Sequence, residues 1–222
     1  MKVGFIIAMD NEYAQMRRII GGKPEGYFAG NAIALWQCGI GKANAAMGAI
    51  DFINQQHPDC IFCTGLAGAI SEELNVKDFV IGEQAMYHDV WCGEPNEYGQ
   101  VQGMPTRFDA DKRLVEIVKN VKTDHHVMSG LICTGDQFVT TGEKIEQIHK
   151  LIPEALTCDM ESAAIAQACY QKQVPFLSLR IVSDTPGRTT NHAQQWQDFM
   201  KEMSNYSFRW ILKFLNELPS AL

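Results

Sequence analysis

Three short stretches, Val3–Ala8, Asp59–Thr64 and Phe176–Val182, are apolar almost without a break. A strand that alternates polar and apolar residues keeps one face in water; a strand with no alternation is covered on both faces. Such strands belong to parallel sheets sandwiched between helices. The segments between them fit that arrangement. A helix capped by Asp10 is predicted to run to about Ile20, an Ala-rich one over Lys42–Gln56, and others over Asp109–Lys122, Lys144–Leu151, Met160–Gln171 and Ala193–Leu218. Further strands are predicted at Ala32–Cys38, Phe79–Ala85 and Val127–Cys133, and Trp91–Thr106 reads as a long loop punctuated by glycine and proline. Alternating strands and helices predict an α/β fold, a three-layer α-β-α sandwich around a mixed, mostly parallel sheet. No repeat or linker interrupts residues 1–222, which read as one domain.

Composition narrows the partners. Of 222 residues 46% are hydrophobic, enough for one large core, and the formal net charge is −7. No basic run exceeds Arg17-Arg18, which argues against nucleic acid. The apolar run after Lys2 ends at Asp10, too short for a signal peptide or a membrane span. Seven cysteines is an odd number, and they lie in or beside apolar segments, so free thiols in a reducing cytoplasm are expected. Cys60-Ile-Phe-Cys63 has redox or metal spacing, but it lies inside a buried strand and has no second pair; here cysteine acts as a small hydrophobe. The histidines show no metal-ligand spacing, and neither a metal nor a cofactor is expected.

Chemistry is expected beyond the carboxyl ends of the strands, where open α/β sheets bind ligands. Small residues gather at those ends: Gly39-Ile-Gly41-Lys42, Thr64-Gly65-Leu66-Ala67-Gly68 and Thr134-Gly135-Asp136. The first lacks the spacing of a phosphate loop, since Ala43 follows the lysine. Each alone is a turn; together, with Ala67 and Gly68 among them, they suggest a floor for a flat ligand. Three acids share the same topological place. Glu12 and Glu161 begin helices, where an acid also complements the helix dipole. Asp184 ends the last strand, where it also suits a turn before Thr185-Pro186-Gly187. With no Gly-x-Ser-x-Gly elbow, acid–base hydrolysis by carboxylates is the chemistry left.

At these residues the sequence resembles the 5′-methylthioadenosine/S-adenosylhomocysteine nucleosidases of the nucleoside phosphorylase superfamily. The likeness runs nearly end to end: Met1–Met9 with Glu12, Cys38-Gly-Ile-Gly-Lys42, Tyr87-His-Asp89, Glu97-Tyr-Gly-Gln100, Gly130–Asp136 with Phe138, Asp159-Met-Glu161, and Val174-Pro-Phe176 through Ser183-Asp184. The last two motifs are the specific ones. The resemblance implies a homodimer that takes a small-molecule nucleoside and frees adenine from it by hydrolysis. Asp184 would protonate N7 of adenine, and Glu12 would activate water. Glu161 would hold the ribose hydroxyls, with Met160 against the sugar. Phe138 would stack on adenine while the Val139 backbone bonds its edge. Arg180 and Ser183 would support the Asp184 loop. Tyr98 and Pro105 would come from the neighbouring subunit to cover the 5′-alkylthio group, and Trp196 and Phe199 would form a lid over the same end. An aspartate ordinarily titrates near about 3.9, so burial is expected to raise the Asp184 pKa.

The departures also carry expectations. Phosphorolytic relatives place an arginine where this chain has Cys63, so water is favoured over phosphate; a purine nucleoside phosphorylase and a non-catalytic nucleoside-binding protein are the alternatives. Leu66 stands where a serine is usual, and Asp159 where a glutamate is usual. Residues 21–31 are too short for the family's full β-hairpin, so one strand fewer is expected, and Thr185–Gln195 runs longer than in relatives.

Overall fold

The computed structural model describes residues 1–188, 192–202 and 207–222. The strands are β1 (Lys2–Ile7), β2 (Glu25–Phe28), β3 (Asn31–Gln37), β4 (Cys60–Ala69), β5 (Phe79–Tyr87), β6 (Phe108–Asp109), β7 (Val127–Thr134), β8 (Ala155–Asp159) and β9 (Phe176–Asp184). The helices are α1 (Asp10–Ile19), α2 (Lys42–Gln56), α3 (Lys112–Lys119), α4 (Gly142–Leu151), α5 (Ser162–Lys172), α6 (His192–Glu202) and α7 (Ser207–Glu217). All described strands join one mixed sheet. β1 lies parallel to β3 and β4, β4 to β9, and β7 to β5 and β8, while β2–β3, β5–β6, β5–β9 and the short β4–β8 contact are antiparallel.

Helices cover both faces, giving the expected three layers. On one face Val3, Phe5 and Ile7 of β1 pack with Met16 of α1, Leu114 and Val118 of α3, and Trp210 and Phe214 of α7. On the other, Ile6 and Ile61 meet Ala45, Ala49 and Phe52 of α2 and the alanine run Ala163–Ala166 of α5. Small side chains let these helices approach closely, which is why α2 and α5 read as Ala-rich. Cys60 and Cys63 fall into opposite clusters, and all seven cysteines are free. Among the described residues no helix is long and apolar enough to cross a membrane.

One feature of the sheet places the site. β9 lies between β4 and β5, while β4 also touches β8, β8 pairs β7, and β7 pairs β5. These five strands close into a ring around Ala69, Val80, Ile132 and Val182. Closure sets Gly68 of β4 opposite both Asp184 of β9 and Cys158 of β8.

Several elements differ from the sequence reading. The hairpin is present: Ala29 and Gly30, at φ +48° and +82°, turn the chain in two residues, so β2 and β3 fit the short segment. β4 does not stop at Thr64 but runs through the glycine cluster, because β9 pairs with it as far as Gly68. β8 was not foreseen. Met9, not Asp10, occupies the N-cap position of α1, where Glu12 reaches back to its amide. α3 starts only at Lys112, because Asp111 caps it through the Arg113 and Leu114 amides while Phe108–Asp109 pairs with β5. Ala193–Leu218, expected as one helix, holds α6 and α7; residues 203–206 of that span, and 189–191 of the longer Thr185–Gln195 segment, lie outside the described residues.

Candidate active site

A cavity of about 290 Å³ opens beyond the carboxyl ends of β4, β8 and β9. Its walls include Glu12, Leu66, Ala67, Gly68, Phe138, Val139, Met160, Glu161, Arg180, Ser183, Asp184 and Trp196 from the sequence reading, together with Met9, Ile40, Cys158 and Asp159. Strand β1 delivers α1, and the first turn of α1 carries Glu12 inward. Glu12 is 2% exposed. Its Oε2 accepts from the Met9 N–H at 3.3 Å and its Oε1 from the Leu66 N–H at 2.9 Å. Burial pushes its pKa up to about 7, against the pull of Arg180.

Arg180, on β9, is the hub. Its Nε lies 2.8 Å from Asp159 Oδ2 and its Nη2 3.7 Å from Glu161 Oε2. The guanidinium also donates to Ser162 Oγ and to Cys63 Sγ. Buried among these anions it stays charged, its pKa driven above the usual arginine value. Asp159 is fixed in turn by the Thr134 hydroxyl at 2.6 Å and by the Glu161 and Ser162 amides at 3.1 Å each. Glu161 sits at the N-cap of α5, and its Oε1 accepts from the Gly41 N–H at 3.1 Å. Burial and Asp159 raise its pKa to about 6, with Arg180 opposing. The Gly-Ile-Gly-Lys turn thus holds a carboxylate, not a phosphate; Lys42 Nζ points away to Asp89 at 2.7 Å.

Asp184 is 1% exposed at the end of β9. The Ser183 hydroxyl lies 2.6 Å from its Oδ1. Gly68 lies directly against it: a Cβ there would touch Asp184 Oδ2 at 3.5 Å and crowd Pro186 Cγ at 3.3 Å. Phe138, 54% exposed, meets Trp196 edge-on across the mouth, ring centroids 6.1 Å apart. Leu66 presents its amide to Glu12 while its side chain packs against the core.

The chain does not bring every predicted residue here. Phe199 is buried in the hydrophobic cluster that includes Met16 and Phe214, and it does not line the cavity. Tyr98 and Pro105, expected to reach a neighbouring subunit's site, do not line the cavity of their own chain; Tyr98 donates to the His88 carbonyl at 2.6 Å and packs against the cluster that holds Met86 and Val139. Arg180 braces Asp159 and Glu161 rather than Asp184. Asp159 is a further functional residue that the sequence marks only by a second acid two residues before Glu161. Among the described residues no cluster of His, Cys, Asp and Glu could hold a metal ion.

The lining therefore presents four carboxyl groups to one guanidinium, which is ion-paired with Asp159 and Glu161. Residues 2–216 match the phosphorylase superfamily. The 5′-methylthioadenosine/S-adenosylhomocysteine nucleosidase of Geobacillus is 36% identical over 98% of this chain and 99% of its own. The chain belongs to the methylthioadenosine/adenosylhomocysteine nucleosidases. Among solved nucleosidases of the family, that of Streptococcus pneumoniae, bound to a transition-state inhibitor, superimposes with a TM-score of 0.91 at 34% identity, covering 99% of this chain and 100% of the other. The Colwellia psychrerythraea nucleosidase, bound to adenine, gives 0.91 at 30% identity over 100% and 97%. The nucleosidase fold is thus retained here despite Leu66 and Asp159.

Proposed function

We propose that this protein hydrolyses the N-glycosidic bond of 5′-methylthioadenosine and S-adenosylhomocysteine, releasing adenine and the corresponding 5-thioribose. The observation that carries this reading is the acidity of the cavity, four carboxyl groups against one arginine already held by Asp159 and Glu161. Among the described lining residues Arg180 is the one cation, and it is already paired with Asp159 and Glu161, which favours a neutral water over a phosphate dianion. A sugar gaining oxocarbenium character, by contrast, is stabilised by such a surround.

The roles are those the family resemblance implies, and the position of these residues around the cavity supports them. Asp184 gives its proton to N7, so adenine leaves neutral; Glu12 takes a proton from the attacking water, whose oxygen bonds C1′. A base with a pKa near the operating pH serves best, and Glu12 at about 7 meets that condition. Glu161 accepts from the ribose hydroxyls beside Met160. Adenine lies on Ala67 and Gly68 against Phe138, its edge at the Val139 backbone. Ser183 steadies Asp184, Arg180 steadies Glu161, and Trp196 closes the mouth. Tyr98 and Pro105 serve a partner's site in a homodimer; the exposed Ile40, Met47 and Trp91 supply apolar surface for it. Seven free thiols suit the cytoplasm.

Adenine release from each nucleoside, measured with and without phosphate, tests the reading. Release independent of phosphate is expected, with Asp184→Asn slowed at least a hundredfold, roughly the share of one acid–base group. Release that scales with phosphate would make the protein a phosphorylase, and none at all would leave only a binder.

A further inference from the structure

Helix α6 reaches back to the residue that follows Asp184. The Thr185 N–H and the Thr185 hydroxyl both donate to Gln195 Oε1, each at 3.2 Å. A carboxamide oxygen carries two lone pairs and can take both donors. Thr185 is 6% exposed, so its amide has little access to water, and an unmet donor there would carry a desolvation penalty. The sheet does not meet that need, because the β4–β9 pairing ends at Gly68 and Asp184. The next residue of the helix, Trp196, lies edge-on to Phe138 at the mouth of the cavity. On the near side, the Ser183 hydroxyl holds Asp184 Oδ1.

We propose that Gln195 is a positioning residue for the acid step: by binding both donors of Thr185 it fixes the backbone directly after Asp184 and so aims the carboxyl group. The inference rests on the hydrolytic reading above. A proton transfer needs donor and acceptor held within hydrogen-bond reach, and a misplacement of about 1 Å costs on the order of a hundredfold. Ser183 acts on the carboxyl group itself and Gln195 on the main chain behind it. Because Gln195 and Trp196 are consecutive on one helix, the group that aims the acid and the ring that abuts Phe138 move as a unit.

Steady-state kinetics of Gln195→Ala, Thr185→Val and Gln195→Glu, with melting temperatures, test this. Gln195→Ala should lower kcat by about tenfold to a hundredfold with KM little changed. Thr185→Val keeps the amide bond and loses only the hydroxyl donor, so its kcat should fall less. Gln195→Glu keeps a side-chain oxygen that can accept from both Thr185 donors, so it should restore most of the kcat lost in Gln195→Ala. Wild-type kcat in Gln195→Ala, or a Gln195→Glu kcat no higher than that of Gln195→Ala, overturns the proposal while the hydrolytic reading stands. If Gln195→Ala also melts early, the rescue by Gln195→Glu, measured where both variants are folded, decides. A wild type that releases no adenine takes down both.

Discussion

Glu12 enters the cavity already committed at both oxygens, one to Met9 and one to Leu66. Its pKa near 7 has two consequences of opposite sense. As a base it works only when ionised, so kcat/KM should rise with pH through about 7, and Glu12→Gln should lose at least a hundredfold of activity, by the magnitude of general base catalysis. For stability the sign is reversed. The folded chain holds this proton more tightly than the unfolded chain, so the contribution is full below pH 4.5 and fades as pH rises through about 7. Urea midpoints of the wild type should fall across that window more than those of Glu12→Gln; equal slopes would remove the buried acid as their cause. Beside it, Gly65 leaves no room for a side chain. A Cβ there would lie 2.5 Å from Arg180 Nη1 and 2.9 Å from Glu12 Oε1. Gly65→Ala should therefore cost about 1–3 kcal/mol in stability, the usual range for overpacking, and should depress kcat by displacing Glu12.

At the scale of the element, β9 matters most. It threads between a parallel and an antiparallel neighbour, and all nine of its residues are buried, Arg180 and Asp184 included. Such a strand tolerates a guanidinium only because Asp159, Ser162 and Glu161 surround it. Removing the cation leaves buried anions unmatched, a change that costs about 3–5 kcal/mol. Arg180→Met should be destabilised by that much in denaturant titration, and its acid limb should move to higher pH, since Arg180 lowers the pKa of both Glu12 and Glu161. The apolar runs of β1, β4 and β9 were legible because burial on both faces leaves no polar positions. β8 was not legible: Ala-Leu-Thr-Cys-Asp has no run and no alternation, and it becomes a strand by lying beside β7. β2 escaped for a related reason. It is an exposed edge whose two-residue turn uses Ala29 where asparagine would have signalled it.

On the scale of the whole molecule, the closed ring of β4, β9, β5, β7 and β8 turns separate sequence motifs into one wall. The apolar surface left over lies elsewhere. Met47, 61% exposed on α2, and Trp91, 55% exposed in the loop before Tyr98, are large hydrophobic side chains with no cover in one chain. If a second copy covers them and lends Tyr98 and Pro105, Met47→Glu should shift the protein to a monomer in sedimentation. Activity should then fall with the loss of dimer, most for the methylthio substrate whose 5′ end those residues would cover. A monomeric variant with full activity would show that one chain carries a complete site.

The layered α/β plan is legible in the chain's residue order, because continuous apolar strands can be satisfied only between two layers of helices. The same order singles out Glu12, Glu161 and Asp184, because strand ends and helix starts put acids where such folds bind ligands. The tertiary structure alone decided what those acids are chemically. The charge balance with Arg180, the part played by Asp159, the tightness at Gly65 and the hold of Gln195 on Thr185 join residues far apart in the chain. The pKa of a buried group depends on which charges face it and how far water is excluded, and neither is written in the order of residues along the chain.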